Sequence, residues 1–255
     1  MKISIITICY NSEKYIRSAI ESVLNQTCGD IEYIVVDGDS KDATMDIVKT
    51  YEPKFGGRMK CVSEKDNGIY DAMNKGIAMA TGDIIGILNS DDIYNGNDTI
   101  EKIVQCFQKE NVDAVYGDLL YVNAENTNKI VRYWKSGHYK KNAFLWGWMP
   151  PHPAFFVKKE VYEKHGKFNT KLKSAADYEF MLRVIYKEKI SLTYLPTILV
   201  KMRDGGESNQ TIKNRVRGNR EDREAWKING LRPHWFTRYL KPARKLLQYV
   251  QRPKK

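Results

Sequence analysis

The first half of the chain alternates short apolar runs with segments of helical period, the pattern of a mostly parallel sheet covered by helices. Ile3–Ile8 is a β-rich run. After Asn11 and Ser12, both good N-cap types, Tyr15/Ile16, Ala19/Ile20 and Val23/Leu24 recur at helical spacing, which predicts strand then helix. A second strand over Ile31–Val36 ends in Asp37, and the polar run Gly38–Asp42 leads into a short helix over Thr44–Tyr51. A third strand lies near Lys60–Ser63. A helix over Tyr70–Ala80 stops at Gly82, and Ile84–Leu88 forms a fourth strand with Asn89-Ser90-Asp91-Asp92 at its carboxyl end. Asp98 is placed to cap the next helix, with Glu101 at the capping-box position.

The second half is less regular. Val112–Tyr116 reads as a strand, and Leu119–Val122 with Ile130–Trp134 as a hairpin around the polar segment 123–129. Residues 136–153 form an aromatic, proline-bearing loop long enough to suggest a functional role. Ala175–Lys187 is helical in pattern. Ile190–Val200 is a strand whose Pro196 predicts an edge position, and Arg203–Ser208 is a glycine loop before a polar helix.

Length and composition fit this reading. At 255 residues, 42% hydrophobic and 29% charged, the chain is that of a globular protein, which excludes a disordered tail, a collagen-like rod and a disulfide miniature. No apolar run reaches the ~18–20 residues that span a bilayer, and MKISIITICYN lacks the form of a signal peptide, so a cytoplasmic protein is expected. Cys9, Cys28, Cys61 and Cys106 have no zinc or C-x-x-C spacing and are expected as reduced thiols. The net charge of +11 is uneven: residues 225–255 hold nine Lys or Arg and no acid, which leaves +2 for residues 1–224. The expected organisation is therefore a catalytic domain over 1–224, with halves of about 1–117 and 118–224, and a basic tail over 225–255.

In an open α/β sheet ligands bind beyond the carboxyl ends of the strands, where Asp37 and Asp91 lie. A lone Asp at a strand end serves equally well as a cap. The Asn89–Asp92 cluster is different, because adjacent acids after an apolar strand repel unless a cation lies between them, and oxygen ligands favour Mg²⁺ or Mn²⁺ shared with a phosphate. There is no P-loop and no G-x-G-x-x-G. Asp37-Gly38-Asp39 has Lys41 where an aspartyl-phosphate phosphatase has Thr or Val, and the same run fails as a calcium loop.

The runs ISIITICYN, EYIVVDGDSKDAT, SEKDNGIYDAMNKGIAMATGDIIGILNSDD, PHPAFF and AADYEFMLR resemble, in that order, the family 2 glycosyltransferases with a GT-A fold, in particular bacterial exopolysaccharide and O-antigen enzymes. The resemblance extends from Lys2 to about Ser208. It implies a GT-A α/β fold, a nucleotide-diphosphate sugar donor, with UDP expected from the family's commonest donors, a divalent Mn²⁺ or Mg²⁺, and inversion at the transferred sugar. By position, Thr7, Tyr10 and Asn11 resemble the nucleotide-binding edge, and Asp37, with Asp39 nearby, the acid at the nucleobase. Asn74 falls among the donor contacts, although Met73 replaces the Arg of many members, a role open to Lys65 or Lys75. Asn89-Ser90-Asp91 occupies the D-x-D position, with Asp91 as metal ligand, Asp92 as a second ligand and an uncharged Asn89 where the family has Asp. Arg203 with the glycine loop resembles a segment that closes over the diphosphate.

Asp177 resembles the family's catalytic base, though an acid in a helix's first turn is also favoured by the macrodipole alone, and Glu179 is the alternative base. Trp146, Trp148 and His152 are acceptor-pocket candidates, with core packing or an ordinary loop position as the other reading. In the tail, Trp235, Phe236, Tyr239, Leu240, Ala243, Leu246, Leu247 and Val250 recur at helical spacing among basic residues. That pattern predicts an amphipathic helix at an anionic membrane surface, a helix packed on the catalytic domain, or a contact in a homo-oligomer. Nucleic acid is the weakest partner, since the body has no nucleic-acid motif. The whole reads as a non-processive, peripheral-membrane transferase that extends a lipid-linked glycan in cell-surface polysaccharide synthesis. The alternatives are a nucleotidyltransferase or phosphatase, or a nucleotide-sugar-binding adaptor without catalysis.

Overall fold

The computed structural model describes residues 1–205, 212–250 and 253. Its elements in chain order are β1 (Ile3–Cys9), α1 (Ile16–Leu24), β2 (Ile31–Asp37), α2 (Thr44–Tyr51), β3 (Met59–Ser63), α3 (Ile69–Met79), β4 (Ile84–Ile87), β5 (Ile93–Tyr94) and α4 (Thr99–Glu110). There follow β6 (Ala114–Val122), β7 (Ile130–Trp134), β8 (Phe155–Lys158), α5 (Lys159–His165), α6 (Ala176–Met181), β9 (Leu192–Arg203), α7 (Ile212–Ile228) and α8 (Thr237–Val250). One mixed sheet in the order β3-β2-β1-β4-β8-β6-β9-β5 runs through the molecule, with β7 paired to β6.

The first four strands are parallel, as the alternating pattern predicts. All seven residues of both β1 and β2 are buried, because helices cover both faces of a parallel sheet. Two large apolar clusters fill those faces, one under α3, α6 and the aromatic loop, the other under α1, α2 and α4. The approach of α3 to β1 requires Gly76: a Cβ there would lie 2.3 Å from Ile6 Cγ2.

Two local expectations are corrected. Asp98 stands at the N-cap of α4 but makes no side-chain cap bond; it pairs with Lys102 at 2.7 Å, Glu101 accepts from Thr27, and Gln26 Oε1 takes the Ile100 N–H. The strand with Pro196 is not an outer edge: β9 pairs along β6 and, at Val200–Lys201, with β5. The missing N–H is accommodated where the β6–β9 register shifts, between Tyr194 opposite Tyr116 and Ile198 opposite Asp118. The hairpin is present as β6–β7. The helix expected over 175–187 is α up to Met181 and then widens to a π turn over Leu182–Lys187. α7 runs unbroken across residues 224 and 225, where the tail was expected to begin.

Candidate active site

The carboxyl ends of β1, β2 and β4 meet at one rim of the sheet, and hydrogen bonds lace them together. Asn11, with φ 46°, donates its N–H to Ser40 Oγ and accepts from the Lys41 N–H through Oδ1. Ser12 and Ser90 share a hydroxyl–hydroxyl bond of 2.9 Å, which ties the end of β1 to the Asn89–Asp92 turn. Asp37 is fully buried, and its carboxylate accepts from the Ser40 N–H and from the hydroxyls of Ser40 and Ser63. It therefore braces the 38–42 turn. Asp39 pairs with Lys41 at 2.7 Å. The ring of Tyr10 is 64% exposed and stands beside Gly38 and Asp66. Thr7 is buried inside β1, where it accepts the Tyr33 hydroxyl.

The turn after β4 holds the carboxylates. Asn89, Ser90 and Asp91 are half-buried at the rim, whereas Asp92 is fully buried beneath them and accepts from Asn89 Nδ2 at 2.9 Å. Burial, and then the charge of Asp91, push the Asp92 carboxyl well above the usual carboxylate range. The expected second metal ligand is thus packed inward. Among the described residues no group of three or more His, Cys, Asp or Glu forms a metal cluster. The donor set nevertheless fits Mg²⁺ or Mn²⁺ held by one carboxylate and substrate phosphates, because the buried oxygens Asn89 Oδ1 and Asp92 Oδ1 both lack a hydrogen-bond partner next to Asp91.

Asp177 opens α6 with its side chain half-buried, and Tyr70, from the start of α3, donates its hydroxyl to Oδ1 at 3.0 Å. Burial and the Asp177 charge raise the Tyr70 phenol well above its ordinary value, so it stays protonated as a donor. Desolvation lowers the His152 imidazole against an opposing pull from Asp177, and the ring packs edge-on to Phe168. Glu179, the alternative base, is 1% exposed and locked by Arg183, which donates Nε and Nη2 at 3.0 Å each, and by Asn229 Nδ2 at 2.9 Å. The start of α6 is held by a residue far along the chain: Glu221 Oε2 accepts the N–H groups of Lys173, Ser174 and Ala175 at 3.0, 2.6 and 3.1 Å.

Other expected residues are distributed differently. Asn74 makes a two-way clamp with the backbone of Phe168, donating at 2.9 Å and accepting at 3.0 Å. Lys75 pairs with Asp66 and Glu64, and Met73 is core. Arg203 is 8% exposed and bonded to Ala124 O and Ser18 Oγ over the Tyr15 ring. Gly206 and Ser208 of the same loop lie outside the described residues. Trp148 is buried against Tyr116 and Phe144 with its N–H on Ser136 O, while Trp146 is 57% exposed and packs on Phe236. Tyr70 and Glu221 escaped the sequence reading: Tyr70 sits inside the quoted SEKDNGIYDAMNKG run without a separate signal, and Glu221 is one acid of a charged helix.

The model of the glycosyl transferase family 2 matches residues 4–166, well over half of the chain. A PGL/p-HBAD biosynthesis glycosyltransferase of Mycobacterium bovis (strain BCG / Pasteur 1173P2) is 29% identical over 210 residues, which cover 82% of this chain and 79% of the relative. An uncharacterized glycosyltransferase of Methanocaldococcus jannaschii is 29% identical over 211 residues, covering 79% and 72%. Among solved structures, S. aureus TarS 1–349 in complex with UDP-GlcNAc superposes with a TM-score of 0.69 at 20% identity, over 90% of this chain and 65% of that one. This chain therefore spans slightly less than two thirds of that TarS chain. The mannosyltransferase PcManGT from Pyrobaculum calidifontis, in complex with GDP-Man and Mn²⁺, superposes with 0.66 at 18% identity, over all of this chain and 76% of that one. At such identities the likeness is one of fold, and the fold is GT-A. With its helix-covered mixed sheet, its polar rim at the ends of β1, β2 and β4 and the family model matched across that rim, the chain belongs to glycosyl transferase family 2.

Proposed function

We propose that the protein is an inverting, non-processive glycosyltransferase that moves a sugar from a UDP-sugar to a hydroxyl of a lipid-linked glycan, in the synthesis of a cell-surface polysaccharide. The reading places it in the cytoplasm at the inner face of the membrane. The observation that carries it is the pairing of Tyr70 with Asp177 at the start of α6, a half-buried carboxylate oriented by a neutral donor. Inversion needs such a group, because an acceptor hydroxyl must lose its proton as it attacks from the face opposite the diphosphate. Asp177 takes that proton, Tyr70 holds the carboxylate in one orientation, and Glu221 fixes the turn that delivers it. Tyr10, Asn11 and the 38–42 turn, braced by Asp37, take the nucleoside, with Asp39, Asn74 and Arg203 in supporting positions.

Asp91 is the residue that would hold the divalent ion, with Asn89 and Ser90 beside the ribose and phosphates. When bound, Mn²⁺ or Mg²⁺ supplies positive charge to the departing diphosphate. UDP-GlcNAc and UDP complexes of TarS, and the GDP-Man and Mn²⁺ complex of PcManGT, support the donor class. No described helix is long and apolar enough to cross a membrane; in this reading the basic, partly exposed helix α8 makes the membrane contact.

The test is thermal-shift binding of nucleoside diphosphates and their sugars, with and without Mn²⁺, on wild type, Asp91→Ala and Asp177→Asn. The reading expects one diphosphate to stabilise wild type with metal, Asp91→Ala to lose that shift, and Asp177→Asn to keep it while transfer is lost. A panel in which nothing shifts wild type would overturn it. Retained transfer in Asp177→Asn would remove Asp177 from the mechanism.

A further inference from the structure

The aromatic loop ends in a stretch that lies almost wholly inside the protein. From Gly147 to Val157 every residue is buried except His152. Pro151 and Pro153 flank it with restricted φ angles, and the Ala154 N–H bonds to Pro151 O at 3.0 Å, so the imidazole is carried on a stiff turn. The Phe168 ring lies beside both His152 and Tyr70, with centroids 5.8 Å from each, and Tyr70 in turn holds Asp177. β8 runs antiparallel to β4 with Ile85 opposite Val157, so the chain entering β8 passes the carboxyl end of β4, where the Asn89–Asp92 turn begins. His152 therefore stands where the rim that carries Asp91 meets the start of α6.

Among the described residues neither ring nitrogen of His152 has a hydrogen-bond partner. Desolvation holds the ring below its ordinary value against the pull of Asp177 on α6, so at neutral pH it is uncharged, with one nitrogen to donate and the other to accept. Packing alone has no use for an imidazole here, since an apolar ring would fill the turn without two unpaired polar atoms. A sugar hydroxyl, both donor and acceptor, matches such a ring. In the transferase reading the sugar in transit lies between the diphosphate at Asp91 and the attacking hydroxyl at Asp177, and His152 stands between the same two residues.

We infer that His152 is a specificity-determining residue of the transfer, its imidazole bonding a sugar hydroxyl at the point of reaction, on the sugar that leaves the donor or on the acceptor sugar that receives it. The inference rests on the transferase reading and deepens it. Asp91 and Asp177 serve the leaving group and the attacking hydroxyl whatever the sugar, whereas a bond to one ring hydroxyl separates a sugar from an analogue that lacks it.

Thermal shift first selects the nucleoside diphosphate that stabilises wild type with Mn²⁺. Calorimetric titration then compares that diphosphate, its sugars and their singly deoxygenated forms on wild type, on His152→Phe, which keeps a ring against Phe168, and on His152→Gln, which keeps a donor and an acceptor. Methyl glycosides and their deoxy forms, titrated with the diphosphate present, probe the acceptor side. Wild type should gain affinity from one of these sugars, His152→Phe should lose about tenfold, the scale of one hydrogen bond, and His152→Gln should retain most of the gain, with the bare diphosphate bound equally by all three. One deoxy compound should lose about tenfold on wild type and nothing on His152→Phe; this non-additive pair identifies the hydroxyl, and a packing role would not produce it. A pair found with a nucleotide sugar assigns the ring to the transferred sugar, and one found with a methyl glycoside assigns it to the acceptor. The inference is overturned if every deoxy compound loses the same factor on His152→Phe as on wild type, or if wild type gains nothing from any sugar. Loss of the bare diphosphate in His152→Phe marks a structural role and overturns it too. A wild type shifted by no diphosphate is the separate failure of the transferase reading, seen before any His152 variant is compared, and it takes this inference with it.

Discussion

Replacing Glu32 by Gln should destabilise the protein at neutral pH, and the deficit should shrink in acid. Glu32 lies near the start of β2 with its side chain 3% exposed, and accepts from Ser4 Oγ at 2.6 Å, Lys60 Nζ at 2.7 Å, and the Thr81 N–H and hydroxyl at 2.7 and 2.8 Å. Burial by itself would raise its pKa. The Lys60 ammonium and the Ser4 and Thr81 donors outweigh burial and bring the carboxyl from an ordinary 4.5 down to about 2. At 1.36 kcal/mol per unit, that difference corresponds to about 3 kcal/mol. Lys60 is 45% exposed, and solvent screening of that partner brings the working figure to about 2 kcal/mol.

Because the folded-state value is depressed, the stabilisation is complete above the ordinary glutamate range and is lost as pH falls from about 4.5 through about 2. Glu32→Gln keeps the shape and removes the charge. Urea unfolding at pH 7 should show a midpoint lowered by roughly 1 M, for a slope of about 2 kcal/mol per molar, and the gap between the proteins should narrow steadily from pH 5 to pH 2.5. Ser4, Glu32 and Thr81 lie at the amino ends of the strands, across the sheet from the rim that holds Asp37 and Asp91. Donor-dependent thermal shifts of the folded variant should therefore equal those of wild type. A deficit of the same size at pH 7 and pH 3 would refute the assignment of the stability to the ionised carboxylate.

Other outcomes follow from the site. Tyr70→Phe removes the donor to Asp177 and should lower kcat about tenfold, the scale of one hydrogen bond to a charged group, with donor KM unchanged; a shift in donor KM alone would contradict the positioning role. Glu221→Ala leaves the N–H groups of residues 173–175 without their carboxylate, and hydrogen exchange there should accelerate together with a fall in kcat of about tenfold; unchanged protection would show that the turn holds itself. Gly147→Ala drives a Cβ into the backbone of α8, so limited proteolysis should cut 237–250 sooner than in wild type, whereas an unaltered cleavage pattern would mean that α8 is not held at that point. Asp177→Asn is expected to cost about 10²- to 10⁴-fold in transfer, read as single-turnover product formation, with the donor-induced thermal shift preserved.

The candidate site was partly legible. The ends of β1, β2 and β4 are where apolar runs give way to Asn11, Asp37 and Asn89–Asp92, and a parallel sheet necessarily brings such ends to one rim. What those polar groups do was less legible, because a carboxylate's role depends on who else reaches it. Asp37 meets Ser63 from a neighbouring strand, and Asp92 sinks below the surface while Asp91, one residue away, remains half-buried. Asp98 had a capping-box sequence around it, yet Gln26, from the turn after α1, reached the Ile100 N–H instead.

The order and type of the elements from β1 to β4 and of α4 came from the chain alone, since two-residue and 3.6-residue periods decide locally which face can be buried, whereas the short β5, β8 and α5 were not read from the sequence. The uneven charge, with its acid-free last 31 residues, is likewise a property of the sequence. Tertiary structure gave Asp177 and Glu179, two acids on a single helical turn, different surroundings: Arg183 and Asn229 lock the second, and Tyr70 from over 100 residues earlier donates to the first. It also decided which face of α8 meets the body. Helical spacing predicts an apolar stripe but not its partner, and here Asp222 and Leu145 O satisfy the polar face, leaving the apolar one outward. Hydrogen-bond satisfaction between residues remote in sequence is a property of the assembled core, and only the assembled core can specify it.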